Sequence, residues 1–114
     1  MIKTIAALFA IFALTACASA GFEGPGATPK VVSVASVNDM GDDAKVILEG
    51  YLIKQIRDEH YIFKDNTGEI EVEIDDEDFR GEKVTPKTKI RISGEVDKDW
   101  KSIKIDVDYL EVLE

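Results

Sequence analysis

From residue 44 onward the chain alternates apolar and polar residues in short segments broken by turn formers, and a two-residue period of this kind admits strands and little else. Residues 44–56 read as a long, largely apolar first strand. Gly50 sits near its centre, where a missing side chain permits a bend or bulge. Residues 60–65 and 69–75 read as the next two strands. Between them Asp65-Asn66-Thr67-Gly68 supplies residues that tolerate the left-handed backbone angles of a tight hairpin turn. Residues 76–81 read as one helical turn, with acids at its positive N-terminal end, Phe79 as a buried plug and Gly81 as terminator. Thr85-Pro86 leads into a fourth strand at Lys89-Ile90-Arg91-Ile92-Ser93, and a fifth runs from Ser102 to about Val112. Asp97, Lys98 and Asp99 are expected to form the turn between them, with the chain's one tryptophan, Trp100, at the hairpin tip.

Three meandering strands, a helical insert and a closing two-stranded hairpin make the layout of a five-stranded Greek-key OB barrel, an all-β fold here carrying one or two short helices. Closure leaves few free edges to aggregate. An open sandwich of five strands would have a layer too small to cover its apolar face. Ahead of the strands, residues 31–40 favour a short helix capped by Ser33, with Val34, Val37 and Met40 on adjacent turns, although the valines also suit a strand. Gly41-Asp42-Asp43 ends that segment.

Residues 1–20 have the make-up of an export signal: Lys3 is followed by an apolar run, residues 5–14, too short to span a bilayer comfortably. Two cleavage readings stand side by side. Ala18-Ser19-Ala20 fits a cut before Gly21, and Leu14-Thr15-Ala16-Cys17 fits a lipobox cut before Cys17, which would then carry a lipid anchor. Residues 21–30, with three glycines and two prolines, form an extended leader, and residues 31–114 form the barrel domain. The folded part has no cysteine and so no disulfide. The net charge of -9 becomes more negative by one when Lys3 leaves, since residues 1–20 hold no Asp or Glu. A chain this acidic repels phosphate backbones, which argues against nucleic acid and toward cationic partners or simple solubility.

Several pieces match one family: Gly21-Phe22-x-Gly24-Pro25, Asp42-Asp43, Leu48-Glu49-Gly50-Tyr51 and Tyr61-x-Phe63-x-Asp65-x-Thr67-Gly68, followed by Val72-Glu73-Ile74-Asp75 and Gly94-Glu95-Val96-Asp97-Lys98-Asp99-Trp100. Each is weak alone, but in this order they resemble the bacterial OB-fold (BOF) proteins of the YgiW/YdeI stress-tolerance type over essentially the whole mature chain. The resemblance implies a small periplasmic barrel linked to tolerance of cationic antimicrobial peptides and peroxide, with a ligand other than nucleic acid and no catalytic residues. The lipobox at Cys17 departs from that pattern, because proteins of this type resemble soluble periplasmic ones.

The candidate binding residues fall in two groups. Glu69, Glu71 and Glu73 alternate with Ile70, Val72 and Ile74 and therefore share one face of the third strand. Such a stripe reads first as a solvated face partly neutralised by Lys104 and second as a cation-binding surface, the register against Asp106 and Asp108 deciding between them. Arg57 and His60 lie in the first inter-strand loop and Asp97, Asp99 and Trp100 in the last, the two loops that flank the usual OB binding face, with Tyr61 on the strand between. Trp100 with Tyr61 or Arg57 suits stacking on a flat or apolar group. The favoured alternative has Trp100 sealing the barrel end and Tyr61 and Phe63 in the core.

Asp75-Asp76-Glu77-Asp78 lacks the spacing of a calcium loop and reads as helix capping. A single histidine, no zinc-ligand spacing and no assignable triad leave an enzyme unsupported, and no metal or cofactor is expected. The expected function is a non-enzymatic periplasmic binding module for envelope stress tolerance, taking a small or cationic ligand, a cell-wall fragment or a protein partner. The alternative is a membrane-anchored lipoprotein that docks on an envelope partner through its acidic face.

Overall fold

The computed structural model describes residues 30–113; the signal, both cleavage sites with Cys17, and the leader up to residue 29 lie outside the described residues. Five strands, β1 (Lys45–Arg57), β2 (His60–Asp65), β3 (Gly68–Glu73), β4 (Ile90–Lys98) and β5 (Ile103–Val112), close into a barrel in the order β1-β2-β3-β5-β4. The fold is the all-β five-stranded barrel expected from the strand order, with a one-turn helix α1 (Val34–Val37) and a 3-10 turn (Asp76–Phe79).

Alternation drives the closure. In β1 the residues Val46, Leu48 and Leu52 point inward, and in β4 Ile90, Ile92 and Val96 do the same. Phe63 of β2 meets them at the centre, fully buried, with Val72 of β3 and Ile105 and Leu110 of β5 around it. Burying this alternating set on one side while leaving the other wet fixes the register, because a one-residue slip would turn every apolar side chain out to water.

Gly50 carries the bend. It is the last β1 residue paired with β4, opposite Ile90, and Tyr51 is the first paired with β2, opposite Lys64. One strand thus serves two neighbours in succession, and the irregular register between Leu52 and Lys54 continues the turn of the strand.

Several boundaries differ from the sequence expectation. β4 does not stop at Ser93: it passes a bulge between Ser93 and Gly94 and runs on to Lys98, so Asp97 and Lys98 are strand residues rather than turn residues. Gly94 allows this because it lies against the backbone of Asp106 and Val107, where a side chain has no room. The helical turn expected over residues 76–81 is a 3-10 turn ended by Arg80 in the left-handed region (φ 50), one residue before Gly81. Asp75 makes no side-chain cap; the carboxylate of Glu59, from the β1–β2 loop, accepts the N–H of Asp76 at 3.2 Å instead. Phe79 is half-buried rather than a fully buried plug, and meets Tyr61 edge to face at 5.8 Å.

The helix expected over residues 31–40 contracts to α1, and Val31 instead bridges to Ile47 of β1. So short a helix cannot nucleate alone, and its stability comes from partners outside it. Its first three N–H groups are all satisfied: Val34 donates to Asp65 Oδ2 (2.9 Å), Ala35 to Thr67 Oγ1 (3.0 Å) and Ser36 to Ser33 Oγ (3.2 Å). Two of those acceptors belong to the β2–β3 hairpin turn, which thereby ties α1 to the barrel. Burial works against the Asp65 carboxylate, but the Thr67 hydroxyl and the N–H groups of Val34, Thr67 and Gly68 outweigh it and hold its pKa below the ordinary value.

Candidate functional site

Inward placement of Ile70 and Val72 turns Glu69, Glu71 and Glu73 outward on β3. Arg57 Nη2 donates to Glu71 Oε2 at 3.0 Å, and His60 Nδ1 lies 2.8 Å from the same oxygen. β5 runs parallel to β3, with Lys104 opposite Glu71 and Asp106 opposite Glu73. From there Lys104 Nζ donates to Glu73 Oε1 and reaches Asp97 Oδ2 at 3.3 Å. Arg57, His60, Glu71, Glu73, Lys104 and Asp97 therefore form a continuous charged ladder across the face. Glu69, exposed at its end, has no ion pair or side-chain hydrogen bond among the described residues.

The hydrogen bond from Lys104 is the main cause that lowers the Glu73 pKa. Asp106 moves the other way: partial desolvation of this otherwise exposed carboxyl and the facing Glu73 carboxylate raise it, with Asp108 and Asp97 adding to the shift and Lys104 opposing it. A carboxyl with a raised folded pKa costs stability once ionised and ceases to do so as the pH falls through that value. Asp106→Asn is therefore expected to raise stability by a few tenths of a kcal/mol at neutral pH, the scale of one directly opposed like-charge pair. In urea titrations the advantage should shrink toward zero as acid protonates Asp106 in the parent; an advantage that persists at low pH would contradict the repulsion.

Trp100 does not seal the barrel end; it is 90 % exposed. The turn around it is held by Asp99, whose N–H donates to Ser102 O (3.0 Å) and whose Oδ1 accepts the N–H groups of Lys101 (2.8 Å) and Ser102 (2.9 Å). Those two backbone bonds are also what lower the Asp99 pKa. Because one carboxylate satisfies the turn, the indole is not needed for its structure, and among the described residues Lys101 Nζ alone stands over the ring, 5.4 Å from its centroid. Trp100→Ala is accordingly expected to leave the unfolding free energy within about 0.5 kcal/mol of the parent. A larger loss in a urea titration would show that the indole packs on the barrel.

The turn leads directly into Ile103, and Ile103 lines a cleft of about 320 Å³ between α1 and the outer face of β3. Glu69, Glu71, Thr67 and Asn38 line it too. Lys98 fixes the far wall, its Nζ donating to the carbonyl oxygens of Asn38 (3.0 Å) and Met40 (2.9 Å) just beyond α1. Sequence reasoning had no means of finding Asn38, Ile103 or the Lys98 clamp, since all three depend on α1 packing beside β3. Thr67 stood within the turn motif but read only as a turn former.

The remaining sequence candidates do not converge on Trp100. His60 pairs with Glu73, whereas Ile103 and Glu69 lie toward the opposite end of β3, about 13 Å away over four strand residues. Arg57 and His60 thus mark one end of the face and Trp100 the other. Tyr61 shares the inward side of β2 with Phe63 and packs on Phe79, where burial and the carboxylates of Asp76, Asp58 and Glu59 raise its pKa. It cannot join Trp100 in stacking on one group. Among the described residues no group of three or more His, Cys, Asp or Glu side chains is arranged to hold a metal ion.

The chain is similar to the calcium-regulated OB-fold protein CarO of Pseudomonas aeruginosa, 42 % identical over 99 residues that cover 87 % of this chain and 85 % of that protein. It is similar as well to protein YgiW of Escherichia coli K12, 40 % identical with 92 % and 93 % covered. The solved structure of E. coli YgiW superposes with a TM-score of 0.73, covering 83 % of this chain and all of that one. A murine DNA-binding protein solved with double-stranded DNA superposes at 0.59 with 17 % identity, covering 82 % of this chain and 57 % of that one, a likeness of fold alone. The bacterial OB fold (BOF) protein model matches residues 12–112, and with relatives of this identity aligned over nearly their full length, the chain belongs to that family.

Proposed function

We propose that this chain is a non-enzymatic binding protein of the periplasm that contributes to tolerance of envelope stress by taking a cationic ligand, such as a basic peptide, in the cleft beside Trp100. The observation that carries the reading is the exposed indole in the turn leading into a cleft lined by Glu69 and Glu71. Tryptophan is enriched at contact surfaces, where its ring covers a large apolar area while its N–H keeps a polar handle. Glu69 supplies an unpaired carboxylate and Trp100 a face for a cation or a flat group. The export signal read from residues 1–20 supports the compartment, and family membership supports a binding role, since neither relative's name is that of an enzyme. The β3 face carries carboxylates where single-strand nucleic-acid binders of this fold carry basic and aromatic residues.

The reading is tested by titrating the mature protein with a cationic peptide and, separately, with a muropeptide, following tryptophan emission and heat. A shift in emission with the peptide, weakened by salt, is the expected result, because screening weakens Coulomb attraction. Trp100→Ala should cost about 0.5–2 kcal/mol of binding, the scale of a cation–π contact. Unchanged emission together with no heat from either titrant would sink ligand binding at this cleft. A salt-insensitive response to the muropeptide alone would replace the cationic ligand with a sugar stacked on the indole.

A further inference from the structure

A second surface, which adjoins the Trp100 cleft at the β2–β3 turn but shares no lining residue with it, has the opposite charge. Most cationic side chains of the described residues are engaged: Lys45, Arg57, Arg91 and Lys104 in ion pairs, Lys98 and Arg80 on carbonyl oxygens, Lys101 over Trp100. Five lysines, Lys54, Lys64, Lys83, Lys87 and Lys89, have neither an ion pair nor a side-chain hydrogen bond among the described residues. All five line two open grooves, of about 770 and 450 Å³, that share Ile53 and Pro86 and so form one trench. In a chain of net charge -9, scattered surface lysines would be expected to find carboxylates. Here the unpaired ones are gathered along a single trench, where only a few acids, Glu82 among them, also stand.

The trench also follows an unpaired strand edge. β1 pairs with β4 only through Gly50 and with β2 only from Tyr51, so beyond Gly50 the edge that faced β4 has no strand beside it. No backbone hydrogen bond from the rest of the described chain reaches Leu52, Ile53, Lys54 or Gln55 on that edge. Those four residues line the smaller groove, facing Lys83, Val84 and Pro86 across it. The strand order itself is closed, and within it this stretch of β1 is an open template for strand addition.

We infer that the trench binds an extended acidic peptide segment, which adds along the Leu52–Gln55 edge of β1 by backbone hydrogen bonds while its carboxylates meet the unpaired lysines. Strand addition supplies affinity through the main chain and side-chain pockets supply selectivity. Ile53 and Pro86 give the apolar floor for alternate side chains, and the lysines select against basic and neutral sequences. The occupant is a peptide rather than a bare polyanion because the free edge offers N–H and C=O groups in strand register, which a phosphate chain cannot match in both donors and acceptors. The site shares no lining residue with the Trp100 cleft and takes the opposite charge, so either can fail without the other.

The test uses the isotope-labelled protein and a blocked peptide of alternating Glu and Val, with an alternating Lys and Val peptide and inorganic polyphosphate as the other titrants. The Glu peptide is expected to move the amide resonances of residues 52–55 and slow their hydrogen exchange, while the Lys peptide leaves them unchanged. The double variant K83E/K87E, at two exposed loop positions, should weaken binding about tenfold or more through like-charge repulsion. Trp100→Ala should leave it unaltered. Equal binding of the Glu and Lys peptides, no loss in K83E/K87E, or polyphosphate binding without any peptide-induced protection at residues 52–55 would each overturn the inference.

Discussion

Phe63→Ala is expected to lower the unfolding free energy by about 3–5 kcal/mol, the range for truncating a fully buried aromatic without collapse of the cavity left behind. Phe63 is 0 % exposed and stands on β2 between Leu52 of β1 and Ile70 of β3, its register partners on either side. A domain of this size holds roughly 0.05–0.15 kcal/mol per residue, so the loss removes a large share of the total. In a thermal melt it corresponds to a fall of more than about 12 °C. The charged ladder should fail in the same transition, because Arg57, His60, Glu71 and Glu73 are aligned by the β1, β2 and β3 strands that pack on this ring. A urea titration that gave a loss below about 1 kcal/mol would mean that the barrel closes around the hole, against the rigid packing of interiors.

Gly50→Val should be comparably damaging for a different reason. A Cβ at Gly50 would fall 2.2 Å from the carbonyl oxygen of Lys64 and 3.0 Å from the Phe63 ring. The first obstacle is backbone, which cannot swing aside, so β1 and β2 must separate at the residue where β1 passes from one neighbour to the other. The expected cost is about 3 kcal/mol, at the upper end for forced overpacking. Gly41→Val serves as the control: nothing lies within 4 Å of a Cβ there, and its effect should stay within about 0.5 kcal/mol. Equal effects at the two glycines, measured by urea unfolding, would show that loss of flexibility and not the close approach to Lys64 governs Gly50.

Most of the barrel was legible before any coordinates. The alternation in residues 44–56, the Asp65-Asn66-Thr67-Gly68 turn and the glycine at the bend are local signals, and local signals survive into the fold because each agrees with the burial of one face. The hairpin strand His60–Asp65 coincides with its expected bounds. Errors gathered where a remote element supplies what a local residue was expected to supply. Asp75 does not cap its turn because Glu59, from the other side of the β1–β2 loop, is already there. Arg80 enters the left-handed region one residue ahead of Gly81, whose φ is also positive (77), and its guanidinium donates to Leu110 O (2.9 Å) and lies over the Tyr109 ring. The β4 strand outruns Ser93 because Gly94 fits against Asp106 and Val107 of β5, on the far side of the β4–β5 turn.

The candidate site shows the same division. Three glutamates on one face of β3 follow from a two-residue period, and so did their shared exposure. Their pairing did not: Glu71 is held by Arg57 and His60 across β2, and Glu73 by Lys104 across β5, contacts set by register between strands distant in sequence. Sequence alone placed Trp100 in the last loop of a five-stranded barrel, because turn formers and alternating strands are properties of neighbouring residues. Whether that indole faced the core or water was decided by tertiary structure, since Asp99 satisfies the turn while Val34 and Val37 of α1 are the side chains buried in the core beside Gly68 at that end of β3.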